Sequence, residues 1–431
     1  MILYYTLLLT LALATAPVFT DRLLGFTVEK YLGLLCLLYA MVYLQRRKSP
    51  VRLWGASQTH AFVFFFLWAA VSWVALSRQP FQNSTLFVYL SEMVFLVSTL
   101  TLVDSPKRLR WTLIAVLASV VWGSLYTLRE WQKAIPIYGI GYRPLYSPAG
   151  DPNYFTASAV LCLPVAFYLI VRSKRRSDRL LSIACLVPIT AAILVDASRG
   201  GLLALCATGA VILFQTRGRR SAKMLLLGGA LAVVLLLSPA SPIHRLLHPN
   251  YSDVAAQDNR LELWKAGLRM TLAHPLAGIG LDNFKAELPS YLGAGPRIDF
   301  IAHNTYLQML AEMGLPGLIG FLWILTVTLR SLARASRIAA ETNATLVYCA
   351  ATGLFAGVVG FSVAMFFLSA EFLKVFWFAV FLSAAIERLA LAGARTAGTV
   401  APQIAPRSEV APRAYRRPRH AAGKRAFPAM P

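Results

Sequence analysis

The chain has 431 residues, 57% hydrophobic and 14% charged, with a mean hydropathy of +0.59 and a formal net charge of +23. A soluble domain carries about a quarter charged residues, so the composition excludes an ordinary soluble fold and indicates a polytopic helical membrane protein with one integral bundle. The positive charge falls in short loops between apolar runs, which reports membrane orientation and argues against nucleic acid as a partner.

Apolar runs at 2–18 and 27–45 come first. Ala14-Thr15-Ala16 loosely suggests a signal-peptidase site, but a second span follows at once, so the first run counts as a helix. The second run ends at Arg46-Arg47-Lys48, which assigns that end to the cytoplasm. Runs at 60–77 and 86–103 form a hairpin through the outside, closing on the basic stretch 107–110. The run 112–128 leads to an outer loop at 129–152, and 153–171 returns to the basic 172–179. Spans 180–195 and 201–215 are joined outside by Asp196-Ala197-Ser198-Arg199-Gly200. After the basic 217–223, a span at 224–238 crosses into the largest outer loop, 240–303. Spans at 304–329, 344–366 and 372–390 complete the set.

The count is about twelve transmembrane helices with both termini inside, and every basic cluster then lies on one side. The expected organisation is an all-α membrane bundle over 1–390, including outer loops 129–152 and 240–303, then a disordered basic tail at 391–431 close to lipid headgroups. The five cysteines lie inside apolar runs as small core residues, and no metal-ligand spacing occurs.

Chemistry is expected on the outer face. In the first outer loop, Arg143 precedes Asp151-Pro152-Asn153, where Asp151 and Asn153 read as helix caps or as lining of a cavity mouth. Arg199 sits at the hydrocarbon boundary in a break between two spans, a costly place for a charge unless it is solvated, paired with Asp196 or held for a ligand. Gly200-Gly201 beside it exposes backbone N–H groups suited to an anion. Residues 258–268 read as a helix with Leu261, Trp264 and Leu268 on one face and Arg260 in its first turn, where a cation opposes the helix dipole and invites an anionic partner. His274, among proline and glycines, reads as a turn residue.

His303 opens the helix that follows the large loop. A helix start disfavours imidazolium, so a neutral, proton-accepting imidazole is expected there, alongside the plainer reading of an interfacial cap. Asn304, Gln308 and Glu312 run down one face of this helix as a polar stripe, with Tyr306 beside them.

Together, Asp151-Pro152-Asn153, Ser198-Arg199-Gly200-Gly201, Arg260 with Trp264, His274-Pro275 through Gly280, and His303-Asn304-Thr305-Tyr306 through Glu312-Met313-Gly314-Leu315-Pro316-Gly317 resemble the O-antigen ligase and polymerase family of bacterial envelope glycosyltransferases. The set covers about 150–325, in the family's order.

The resemblance implies a GT-C-like, inverting, metal-independent transferase without a cofactor, in the bacterial inner membrane with a periplasmic site. It implies a donor glycan on undecaprenyl pyrophosphate and a lipid A-core acceptor, or a growing glycan in a polymerase. His303 corresponds to the family's essential histidine, and Arg199 and Arg260 to its essential arginines, with Arg143, Asp151, Asn153, Asn304 and Tyr306 as supporting candidates. A ligase is the leading expectation, then an O-antigen or exopolysaccharide polymerase, then a protein O-oligosaccharyltransferase. A transporter or flippase of lipid-linked glycans is the alternative from another class, kept open by Glu92 inside a span and by Glu371 with Lys374 at the start of another.

Overall fold

The computed structural model describes residues 1–11, 22, 23, 26–46, 53–81, 84–138, 143, 144, 148, 150–216, 251–292 and 301–398, with backbone alone at 22, 23, 26, 27, 138 and 251–259. The described residues form thirteen helices: α1 (Ile2–Leu9), α2 (Val28–Arg46), α3 (Ser57–Leu76), α4 (Thr85–Leu102), α5 (Pro106–Tyr138), α6 (Pro152–Arg172), α7 (Arg176–Val195), α8 (Arg199–Gln215), α9 (Tyr251–Ala273), α10 (Phe284–Tyr291), α11 (Thr305–Glu341), α12 (Thr345–Ala364) and α13 (Lys374–Thr396). Beside them, the described residues include a short 3-10 turn at Leu53–Gly55 and a two-residue antiparallel pairing of Arg22–Leu23 with Phe26–Thr27.

Nine of these helices, α2 to α7 and α11 to α13, are long and apolar enough to cross a membrane, and α8 is a shorter apolar helix. The protein is an all-helical polytopic membrane protein. The expected span at 224–238 and the tail beyond 398 lie outside the described residues; 391–396, expected as the start of that tail, continue helix α13, and only the first part of the expected first span is described, as α1.

Two helices run past the ends of their apolar runs. Helix α5 continues through 129–138, expected as loop, because Thr127, Glu130 and Ala134 keep one face buried while Lys133 pairs with Glu130 at 2.6 Å. Helix α11 reaches Glu341 because Leu332, Ala335 and Ala339 stay buried between the exposed Arg330, Arg334 and Arg337, a 3.6-residue period that hydropathy alone does not register.

The core is aromatic where α3, α4, α11 and α13 meet. Phe62, Phe65, Tyr89, Phe376 and Phe381 surround Trp377 with ring centroids 5.2–6.3 Å away, and its indole N–H donates to the Glu371 carbonyl at 2.7 Å. Helix α12 lies against α6 and α8 on a stripe of Gly353, Gly357 and Gly360. A Cβ on Gly357 would stand 2.0 Å from the Leu161 carbonyl oxygen, so the small residue sets the helix spacing.

Helix α11 breaks at Gly314, which has φ 65° and ψ −168°. Pro316 has no N–H to offer the Glu312 carbonyl four residues back, so that oxygen is free for another donor. The loop after α9 fills the break: Ile279 N–H donates to Ala311 O, Gly280 N–H to Glu312 O, and Leu315 N–H to Pro275 O, each at 2.9 Å. The indole of Trp68 donates to Met313 O at 2.8 Å. Gly278 and Gly314 face each other's backbone in left-handed conformations: a Cβ on Gly278 would lie 2.3 Å from Glu312 O, and one on Gly314 2.2 Å from Leu276 O. Two stretches some distance apart in sequence thus form one lock, which ties the α9–α10 region to the bundle.

Candidate functional site

Four chain segments meet at the bundle end that carries the α6, α8 and α11 N-termini. The α12–α13 connection, 365–373, is the hub. Thr305 N–H donates to Met365 O and Leu368 O at 2.9 Å, its hydroxyl donates to Leu368 O at 2.7 Å, and Ala370 N–H donates back to that hydroxyl at 2.8 Å. Phe367 touches the first turn of α8, where a Cβ on Gly200 would stand 3.1 Å from the Phe367 Cβ. Phe372 packs edge-on against Tyr154 of α6 at 5.3 Å. The same connection therefore holds the start of α11 beside those of α8 and α6.

His303 precedes the α11 N-cap, Asn304, whose side-chain oxygen accepts from Leu307 N–H at 3.0 Å. At φ 49° His303 is in the left-handed region, a strain on the order of 1–2 kcal/mol for a residue with a Cβ. The half-buried imidazole is held below its usual pKa, first by burial and then by the Arg260 charge, with Asp151 pulling the other way. The lowering expected from the helix start thus has desolvation and a neighbouring guanidinium as its causes here.

Arg260 corrects the sequence reading. Helix α9 begins at Tyr251, so Arg260 lies mid-helix and not in the first turn, and the dipole argument for an anionic partner falls. Its position follows from tertiary docking. Trp264, one turn further on, donates its indole N–H to Ala302 O at 3.1 Å, the residue before His303. Leu263, Ala266 and Met270 pack with Phe284, Leu288, Ala302 and Ala311 in a small separate core. Helical spacing then presents Arg260 toward His303, and its charge reaches both His303 and Tyr154.

On the α6 side, Asp151 caps the helix by accepting from Asn153 N–H at 2.6 Å. Arg143 donates to Asn153 Oδ1 at 3.1 Å and to the Asp196 carbonyl at 2.7 Å, bridging α6 to the α7–α8 turn. Asp196, weighed above as a counter-ion for Arg199, turns to Thr156, whose hydroxyl donates to it at 2.8 Å; burial pushes its carboxyl up to about 8. A carboxyl that favours its neutral form is a poor partner for Arg199. Ala197 takes φ 48°, and Ser198 caps α8 by accepting from Gly201 N–H at 3.1 Å. Arg199 is the first residue of α8 and half-buried.

The polar stripe below His303 resolves into structural roles. Asn304 caps; the Tyr306 hydroxyl donates to Ser362 O at 2.8 Å, and its ring lies 4.5 Å from Phe366. The buried Glu312 carboxylate accepts from Phe284 N–H at 3.2 Å, from Asp282 N–H at 3.1 Å and from the Gln308 amide at 3.3 Å. His274, as expected, belongs to the turn: its carbonyl accepts from Gly278 N–H at 2.9 Å. Among the described residues no three His, Cys, Asp or Glu side chains are grouped to hold a metal ion.

Sequence reasoning missed Thr305 as the anchor of the hub, and read Glu371 only as a charge at the start of a span that kept a transporter open. Glu371 is buried, with Oε2 lacking a hydrogen-bond partner, and burial lifts its carboxyl to about 7. A lone carboxylate in the short 365–373 connection was the available signal.

Residues 184–322 match the family described as O-antigen ligase. No curated protein matches the chain. The matched stretch contains Arg199, Arg260 and His303, whereas Arg143, Asp151 and Asn153 lie before it and join those residues only in three dimensions.

Proposed function

We propose that this chain, which carries an O-antigen ligase family domain, moves a glycan from undecaprenyl pyrophosphate to a lipid A-core hydroxyl at the outer face of the inner membrane. The observation that carries the reading is a half-buried imidazole within reach of a guanidinium charge: burial and Arg260 lower the pKa of His303, which favours the neutral form that a general base needs.

In this scheme His303 takes the proton of the acceptor hydroxyl as its oxygen attacks the anomeric carbon. The bond from that carbon to the pyrophosphate oxygen breaks, and undecaprenyl pyrophosphate departs with both electrons. Arg260 and Arg199 hold the departing phosphates, for which planar multidentate donors are suited. Arg143, fixed between Asn153 and the Asp196 carbonyl, orders the turn that carries Arg199. A phosphate beside Arg260 offsets its charge, so donor binding raises the proton affinity of His303 when a base is needed. No metal ion takes part in any of these steps.

The test is transfer from undecaprenyl-pyrophosphate glycan to purified lipid A-core in the presence of a chelator. His303→Ala loses on the order of 100-fold to 10,000-fold in rate while remaining folded. Full turnover by that variant removes the histidine from the scheme, and activity abolished by chelator removes metal independence. Elongated undecaprenyl-linked glycan as the product, in place of glycosylated lipid A-core, converts the assignment to polymerase.

A further inference from the structure

At the bundle end opposite His303, the first turns of α5, α7 and α12 surround a cavity of about 490 Å³. Four cations and one carboxylate line it. Arg110 and Asp178 satisfy each other across 2.5 Å, which leaves Lys107, Lys174 and Arg175 at the rim, all exposed. Among the described residues no carboxylate pairs with those three. The rest of the lining is largely apolar, with Trp111, Leu346 and Cys349, and Trp111 as a residue is 46% exposed.

Three like charges in one mouth repel one another, and the fold adds to the repulsion. Helices α7 and α12 present their N-termini here, where partial positive charge gathers. Their caps are Arg175 and Ala344, and neither makes a side-chain capping bond. A cation as N-cap opposes the dipole, an arrangement that becomes favourable once an anion lies between them. The apolar wall below the cations requires that anion to carry hydrocarbon. The orientation read from the basic loops makes this the cytoplasmic leaflet, whose surface is anionic.

We propose that this cavity is a binding site for one anionic glycerophospholipid of the inner leaflet, with its phosphate among Lys107, Lys174 and Arg175 and an acyl chain along Trp111 and Leu346. The site is independent of the glycosyl-transfer scheme, since it needs neither His303 nor either of its arginines. The lipid joins the ends of α5, α6 and α7 where the connection is a short basic loop.

Native mass spectrometry of the full-length protein, titrated with phosphatidylglycerol and with phosphatidylcholine, tests this. Wild type retains phosphatidylglycerol in preference. Each of Lys107→Gln, Lys174→Gln and Arg175→Gln weakens it roughly fivefold, and the triple variant on the order of 100-fold. Arg330→Gln with Arg337→Gln, on the same face outside the cavity, leaves retention unchanged. Because the three side chains are exposed, the single variants report even if the triple one folds poorly. Equal retention by wild type and the single variants overturns the proposal, as does an equal loss in the Arg330/Arg337 pair. Complete displacement by soluble glycerol phosphate also overturns it, by making the cavity a site for a free anion.

Discussion

Glu312 is where one side chain holds the α9–α10 region in place, and removing it has a calculable effect. Its carboxylate is buried and accepts from two backbone N–H groups, Phe284 at 3.2 Å and Asp282 at 3.1 Å. Glu312→Ala leaves both donors without an acceptor. An orphaned buried donor costs about 1–3 kcal/mol, so the variant loses roughly 2–6 kcal/mol. Glu312→Gln keeps one acceptor oxygen and sets an amide N–H against the second donor, for a loss of about 1–3 kcal/mol. Gln308→Ala is the contrast: its amide bond to Glu312 is 3.3 Å long and its own oxygen is buried without a partner, so its removal is close to neutral.

Transfer activity should fall with stability in that order, because Phe284 packs with Ala302, the residue before His303. Tryptophan fluorescence during unfolding by SDS in mixed micelles measures the stabilities, and the transfer assay measures the rest. A Glu312→Ala protein within about 0.5 kcal/mol of wild type, or a Gln308→Ala protein damaged as much, refutes the account of the lock.

The remaining predictions concern the site itself. His303 must be neutral to act as a base, so kcat/KM rises with pH through its pKa, below the ordinary value for histidine, and is flat above it. Arg260→Gln removes a charge that lowers this pKa and moves the limb to higher pH; Arg260→Lys leaves it in place, and Asp151→Asn moves it down; an unmoved limb in the Gln variant disproves the coupling. Gly201→Ala puts a Cβ 2.2 Å from the Thr156 methyl and costs about 1–3 kcal/mol by overpacking. Thr156→Ser in the same chain removes that methyl but keeps the hydroxyl that donates to Asp196, so the double variant should regain thermal stability and activity. Trp264→Phe loses the 3.1 Å bond to Ala302 O, about 0.5–1.5 kcal/mol, and should reduce transfer several-fold more than it reduces the unfolding midpoint suggests for the bundle as a whole.

Much of this protein can be read along the chain. Hydropathy is a local property, so the apolar runs locate most of the helices, and the basic loops between them give an expected orientation. Residue chemistry is local too: Arg199 at a break between spans, and His303 before a helix, stand out without a fold. Boundaries were less legible where amphipathic helix continues beyond the hydrocarbon, as in α5 and the second half of α11.

Tertiary structure alone decided how the candidate residues come together. Arg260 looked like a misplaced cation at a helix start; it is a mid-helix residue carried to His303 by the bond from Trp264 to Ala302. The turn at 274–280 and the break at 311–316 looked like two separate motifs, and they are the two sides of one set of hydrogen bonds. Asp196 looked like a counter-ion, and burial made it a neutral partner for Thr156. Each of these depends on a donor or a charge supplied from elsewhere in the chain. A sequence records which groups are available, but desolvation and hydrogen-bond pairing are set by what packs against them.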